Sequence, residues 1–245
     1  MDNALQRTEM LYGREAMERL KKCRVALFGL GGVGGYVMEA LVRSGIGAID
    51  VIDHDTVDET NLNRQILATR ETIGKEKTEA AKERALSIRP DCVVRTYPVF
   101  YLPETADRFD FRSYDYVIDA VDTVTAKIAI IERAVSSGTP VISCMGTGNK
   151  ENPAMLTVSD ISKTTVCPLA RVMRRELKKR GIIHVKTVFS KEIPMKPETV
   201  GNGPISGAEP MRRAVPGSTP FVPGAAGLLI ASEVVKDLLG RGDEA

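Results

Sequence analysis

A glycine run, Gly29-Leu-Gly31-Gly32-Val-Gly34-Gly35, and the charged and carboxamide side chains that follow it carry the most legible chemistry in this chain. Glycines at that density let a backbone turn tightly and approach a phosphate, whose charge a helix N-terminus favours. Asp53 stands about 20 residues further on, the separation at which a carboxylate reaches a ribose hydroxyl. Beyond it lie Asp55, Asn61, Arg64, Gln65 and Lys77. A bound dinucleotide has no need of such a cluster past its ribose-binding acid, whereas a triphosphate needs several donors and cations for its oxygens. Asp119-Ala-Val-Asp122 adds a carboxylate, Asp122, that can hold Mg2+ bridging the phosphates. Each residue has a duller reading. The glycines could serve only strand–helix packing, Arg64 could be a surface ion pair, Lys77 a solvated helix residue, and Asp122 the cap of a helix from Val124. Taken in this order, the set points to a nucleoside triphosphate.

These residues need a frame. Arg24 to Gly29 reads as a strand buried on both faces, followed by a helix over 34–44 and a second strand over 48–53. Helices are expected over 9–22, 75–88, 126–136, 168–180 and 224–239, and strands over 92–97, 115–119, 140–144, 154–159 and 184–190. The alternation predicts an α/β fold, a Rossmann-like, mostly parallel sheet with helices on both faces, extended by antiparallel strands in the C-terminal part. Residues 193–220, rich in Gly, Pro and Ser, read as a long functional loop.

The 245 residues fit one domain, with an N-terminal helix in 1–22, a nucleotide-binding half in 23–150 and a substrate-binding and dimerisation half in 151–245. A 43% hydrophobic and 27% charged composition excludes disordered, collagen and coiled-coil classes. The net charge of +2 says little about partners. The four cysteines, Cys23, Cys92, Cys144 and Cys167, form no C-x-x-C pair, so no zinc is expected. The start carries no apolar signal segment, and the stretch 221–239 is too charged to span a bilayer. A reducing cytoplasmic setting without stable membrane insertion is expected.

The order G-x-G-G-x-G, D-x-D-x-V, N-L-x-R-Q, Lys and D-A-x-D, over roughly residues 10 to 150, resembles the ubiquitin-activating-enzyme-like adenylyltransferases. The resemblance implies a homodimer in which ATP adenylates a carboxylate and pyrophosphate leaves. It places Asp53 on the ribose, with Asp55 beside it, and Asn61, Arg64, Gln65 and Lys77 on phosphates. It puts Mg2+ on Asp122. Tyr12-Gly13-Arg14 is similar to the segment that lends an arginine, here Arg14, to the partner subunit's triphosphate. Arg14, Arg64, Lys77 and Asp122 are then the catalytic set, and Gly29, Gly31, Gly32 and Gly34 the glycine cradle.

The remaining half, through Val158-Ser-Asp160-Ile-Ser-Lys163-Thr164-Thr-Val-Cys167-Pro168-Leu169-Ala170, Val188 to Glu192 and Pro216 to Pro223, resembles the tRNA threonylcarbamoyladenosine dehydratases. That implies adenylation of the carboxylate of the modified nucleoside, followed by attack of the neighbouring carbamoyl or hydroxyl-bearing group on the acyl carbon, with loss of AMP. Cys167 stands where some relatives have an acid, and the late loop lacks a cysteine, so no covalent thiol step is expected. Some such relatives work beside a cysteine desulfurase system. The competing reading is adenylation of the C-terminal Gly-Gly of a sulfur-carrier or ubiquitin-like protein. For tRNA, Arg171, Arg174, Arg175 and Lys178 fall at i, i+3, i+4 and i+7, a spacing that predicts one basic helix face able to track a phosphate backbone.

Overall fold

Val25, Ala26, Leu27 and Phe28 have no solvent exposure in strand β1 (Arg24–Phe28), which requires a packed layer on each face of the sheet. The computed structural model describes residues 3–198 and 216–241 and supplies both layers. β1 pairs in parallel with β2 (Ala48–Ile52) on one side and β4 (Tyr116–Asp119) on the other. β3 (Val93–Tyr97) continues beyond β2, and β5 (Val141–Cys144) beyond β4, both in parallel. β7 (Lys186–Ser190) joins β5 in parallel, and β6 (Leu156–Asp160) closes that edge antiparallel to β7. The seven strands run in the order β3-β2-β1-β4-β5-β7-β6.

Strand alternation divides the core. Val25 and Leu27 point with Ile49, Val51 and Ile118 toward α3 (Gly34–Ser44), α4 (Lys77–Ile88) and α7 (Phe221–Leu238). Ala26 and Phe28 point the other way, toward α5 (Val124–Ser137) and the aromatic side chains Tyr101, Phe109, Phe111 and Tyr114. Phe28 stacks on Phe111 at 5.6 Å between ring centroids and meets the edge of Tyr101 at 4.8 Å. A third cluster joins α5 to α6 (Pro168–Lys178) through Ile128, Ile131, Met173 and Leu177. Between α3 and α4, the buried Glu39 accepts from Arg84 Nε at 2.5 Å and from Arg43 Nε at 2.8 Å.

The expected alternation holds, with three differences. The helix expected over 9–22 is two, α1 (Gln6–Tyr12) and α2 (Arg14–Lys22), because Gly13 adopts φ 87° and ψ 161°, a glycine conformation that no helix continues through. α7 begins at Phe221, ahead of Gly224, since Pro223 fits the first turn of a helix. The C-terminal extension contains one antiparallel pair, β6 with β7, because β7 itself runs with the parallel sheet. Most of the loop expected over 193–220, residues 199–215, lies outside the described residues. Among the described residues no helix is long and apolar enough to cross a membrane.

Candidate nucleotide and acyl-transfer site

The strand order reverses between β1 and β4, and an open parallel sheet forms its ligand crevice at such a point, beyond the C-terminal ends of the strands. A cavity of about 470 Å³ lies there. Gly29 leaves β1 with φ 90°, and a Cβ on it would lie 2.7 Å from the Ala120 carbonyl. Gly31 and Gly32 then line the cavity, and α3 starts behind them at Gly34. Gly34 itself does not line it, contrary to its expected place in the cradle. A Cβ there would lie 1.8 Å from the Gly29 carbonyl, so this glycine lets helix and strand approach each other.

Asp53, at the end of β2, accepts from the Leu30 backbone N–H at 2.6 Å and from the Asp55 N–H at 2.9 Å. Its carboxylate thus fixes the glycine turn while facing the cavity. Lys77, the first residue of α4, is buried and donates to Asp55 Oδ2 at 2.7 Å. It is not a solvated helix residue. Asn61 and Gln65 are also buried on the cavity wall, in the turn after β2. Asn61 Oδ1 caps the Asp58 N–H at 3.1 Å, which leaves its amide donors for a ligand. Among the described residues, neither Gln65 Oε1 nor the hydroxyl of the buried Tyr101, which lines the same cavity and whose pKa burial pushes up to about 12, has a hydrogen-bond partner. Two unpartnered buried polar groups on one cavity are what a polar ligand would complete. Among the described residues Arg64 makes no ion pair. Its guanidinium donates to the Thr60 carbonyl at 2.8 Å and to Asn63 Oδ1 at 2.9 Å, keeping its full charge at the cavity.

Asp122 is exposed in the turn after β4 and does not cap α5, whose N-cap is Thr123. Its carboxylate accepts from Thr123 Oγ1 at 3.3 Å. Behind this turn, Lys127 and Asp119 form a fully buried ion pair. Lys127 also donates to the Val121 carbonyl at 3.0 Å, and Ser143 to Asp119 at 2.5 Å. An exposed carboxylate on a braced turn suits a hard cation such as Mg2+, which takes oxygen ligands.

The cavity therefore gathers Gly29, Gly31, Gly32, Asp53, Asp55, Asn61, Arg64, Gln65, Lys77 and Asp122. Arg14 does not line it. It opens α2 as an exposed residue next to the Gly13 break. Several lining residues were not foreseen. His54 meets the edge of Phe100 at 4.3 Å, and Val99, Phe100 and Tyr101 give an apolar wall next to Asp53. The signal for them is positional: His54 follows β2 and Val99 to Tyr101 follow β3, and the C-terminal ends of parallel strands face the crevice. Met145 to Gly148, Leu169, Pro216 and Ser218 form a further, uncharged wall. Cys144 lines the cavity, and burial pushes its thiol up to about 12. Cys167 is likewise buried.

The basic helix face is smaller than its spacing predicts. Arg171, Arg175 and Lys178 are exposed on α6, but Arg174 is half-buried and donates to the Thr164 carbonyl at 2.9 Å and to Thr164 Oγ1 at 2.6 Å. It ties α6 to the turn before it. Arg175, Lys179 and Arg180 all contact Glu176, which its hydrogen bonds from Lys179 and Arg175 hold below the usual carboxylate range.

A family model described as the ThiF family matches residues 5–245. The tRNA threonylcarbamoyladenosine dehydratase of Bacillus subtilis (strain 168) is 42% identical over 241 residues, covering 95% of this chain and 93% of that protein. Among solved structures, the E. coli tRNA N6-threonylcarbamoyladenosine dehydratase, TcdA, in complex with AMP matches with a TM-score of 0.87 and 32% identity over 100% of this chain and 98% of that one. The same E. coli enzyme in complex with ATP matches with a TM-score of 0.86 and 32% identity, at the same coverage.

Proposed function

This chain belongs to the ThiF family, and from that premise we propose that it is an ATP-dependent dehydratase acting on the threonylcarbamoyladenosine of tRNA. The observation that carries the reading is the gathering of Asp53, Asn61, Arg64, Gln65, Lys77 and Asp122 around one cavity at the switch point of the sheet. The dehydratases of B. subtilis and E. coli, alike over nearly the whole chain, support the choice of substrate over a Gly-Gly-tailed carrier protein.

The chemistry needs positioning and charge rather than a base. The substrate carboxylate is already ionised near pH 7. One of its oxygens attacks the α-phosphorus of ATP, and the bond to the pyrophosphate leaving group breaks. Arg64 and Lys77 offset the charge of the triphosphate, Asn61 and Gln65 orient its oxygens, and Asp53 receives the ribose. The neighbouring carbamoyl or hydroxyl-bearing group then adds to the acyl carbon and gives up its proton to solvent, the bond to AMP breaks, and the nucleoside has lost one water overall. Held in one molecule, the two reacting groups have a high effective molarity, which removes the need for further catalytic groups.

Mg2+ would be held by Asp122 and would neutralise phosphate charge there. The reading includes no zinc. It treats residues 1–245 as a single adenylation domain of a cytoplasmic homodimer, with Arg14 reaching the partner subunit's triphosphate. Arg171, Arg175 and Lys178 would follow the tRNA backbone, and a cysteine desulfurase system remains a partner class that the family resemblance brings in.

Pyrophosphate release tests the reading directly. Stimulation by tRNA carrying threonylcarbamoyladenosine, with a nucleoside product lighter by one water, is the expected result. Stimulation by a Gly-Gly-tailed carrier protein and not by that tRNA would overturn it.

A further inference from the structure

Asn149 lies between β5 and β6 in the left-handed region, with φ 59°. Its backbone N–H donates to the Gly217 carbonyl at 2.7 Å, and its side-chain Oδ1 accepts from the Gly217 N–H at 2.7 Å. Its own carbonyl accepts from the Met195 N–H at 2.8 Å. One residue thus joins the loop after β5, the segment after β7 and the segment that leads into α7. Asparagine suits the position twice over, tolerating a left-handed backbone and offering a short carbonyl acceptor.

Two of the joined segments line the same cavity wall, Met145 to Gly148 and Pro216 with Ser218. Each is secured again nearby. The buried Lys150 donates to the Gly146 carbonyl at 2.5 Å, and Asn63 Nδ2 donates to the Ser218 carbonyl at 2.9 Å. With Leu169, the lining residues Met145 to Gly148, Pro216 and Ser218 carry no charged side chain of their own, which on the functional reading above leaves this wall to the acyl substrate.

We propose that Asn149 is a positioning residue for acyl transfer, clasping Gly217 so that Met145–Gly148 and Pro216–Ser218 present one fixed wall to the carboxylate-bearing end of the substrate. This rests on the functional reading above. Asn149 does not line the cavity, so its effect is on orientation and not on nucleotide binding.

The test is a graded series. Asn149→Asp keeps both the acceptor and the tolerated backbone, Asn149→Gly keeps the backbone alone, and Asn149→Ala keeps neither. The kcat for tRNA-dependent AMP formation is expected to fall little in the Asp variant and by about 100-fold in the Ala variant, the loss of a slight misplacement. The KM for ATP should stay within about twofold of wild type throughout. Hydrogen exchange at the Gly217 amide, which needs no substrate, should quicken in the Gly and Ala variants and not in the Asp variant. Wild-type kcat in the Ala variant, or a kcat loss in all three that merely follows their melting temperatures, would overturn the role of Asn149. Wild-type protein without tRNA-dependent turnover would instead overturn the functional reading, and the acyl-wall assignment with it.

Discussion

Lys127 and Asp119 sit 3.0 Å apart with neither side chain exposed, directly behind the turn that presents Asp122. Such a pair is expensive to break from one side, because the remaining charge is left buried and alone. Lys127→Met should therefore cost about 3–5 kcal/mol. Adding Asp119→Asn should recover part of that loss in a double-mutant cycle read by denaturant unfolding. Additive losses in the double variant would mean that the two groups are not coupled.

Arg64→Ala and Asp122→Ala should each lower pyrophosphate release by at least roughly 100-fold, on the scale of losing one preorganised electrostatic donor. Both side chains are at least partly exposed at the cavity and their removal leaves no buried charge behind. The folded fraction by circular dichroism should accordingly be unchanged. Turnover close to wild type in either variant would remove that residue from the site.

No cysteine should be required. All four thiols are free and buried, and burial raises Cys23, Cys92 and Cys144 above the usual thiol range. The thiolate is the nucleophile, so these groups are poorly suited to covalent work. A variant with all four replaced by Ser or Ala should retain ATP-dependent cyclisation, less a packing loss. Complete loss from Cys167→Ser alone, in a protein that still melts cooperatively, would require a thioester step.

Charge reversal at Arg171, Arg175 and Lys178 should weaken tRNA binding and flatten its dependence on salt, since every phosphate that goes unneutralised keeps about one counterion that binding would otherwise release. Arg174 should be spared, because its guanidinium anchors α6 to Thr164. ATP affinity serves as the control and should not move. Unchanged tRNA affinity would place the nucleic acid elsewhere on the surface.

Stability should fall in acid partly through Glu39. Burial opposes its ionisation, but hydrogen bonds from Arg84 and Arg43 outweigh that and hold the carboxyl below its ordinary 4.5. A carboxyl depressed in the folded state stabilises fully above its unfolded value and loses that contribution as pH falls through the depressed one. Glu39→Gln should cost roughly 1.5–3 kcal/mol at pH 7. The gap between variant and wild type should close steadily below pH 4.5. Urea melts across the acid range measure it, and a constant gap would argue against Glu39.

How much of this was legible in the chain depended on whether the deciding forces were local. The glycine run, Asp53 and the Asn61–Gln65 turn could be read directly, because their roles follow from spacing along strand, turn and helix. The break at Gly13 was missed because amphipathic spacing continues across it on both sides, and only a backbone angle separates the two helices. Arg174 looked like its neighbours by helical spacing, yet Thr164 supplies two acceptors from outside the helix. Nothing along the chain marks Lys127 as buried, since it is β4 and β5 that bring Asp119 and Ser143 beneath it. Gly217 and Asn149 meet only through the tertiary fold, and no pattern in either segment announces the clasp.

Pro223, in the first turn of α7, lines the cavity against Gly32, while Ala226 and Ile230 of the same helix fill the core beside α3. Among the described residues that helix follows every other element in chain order. Ribosomes emit roughly 5–20 residues per second, and the earlier strands can pair as they appear. A nascent chain can thus form its glycine turn and much of its parallel sheet, yet the pocket beside that turn acquires its Pro223 face only when α7 emerges. Chains stopped before α7 therefore lack the Pro223 face of that pocket.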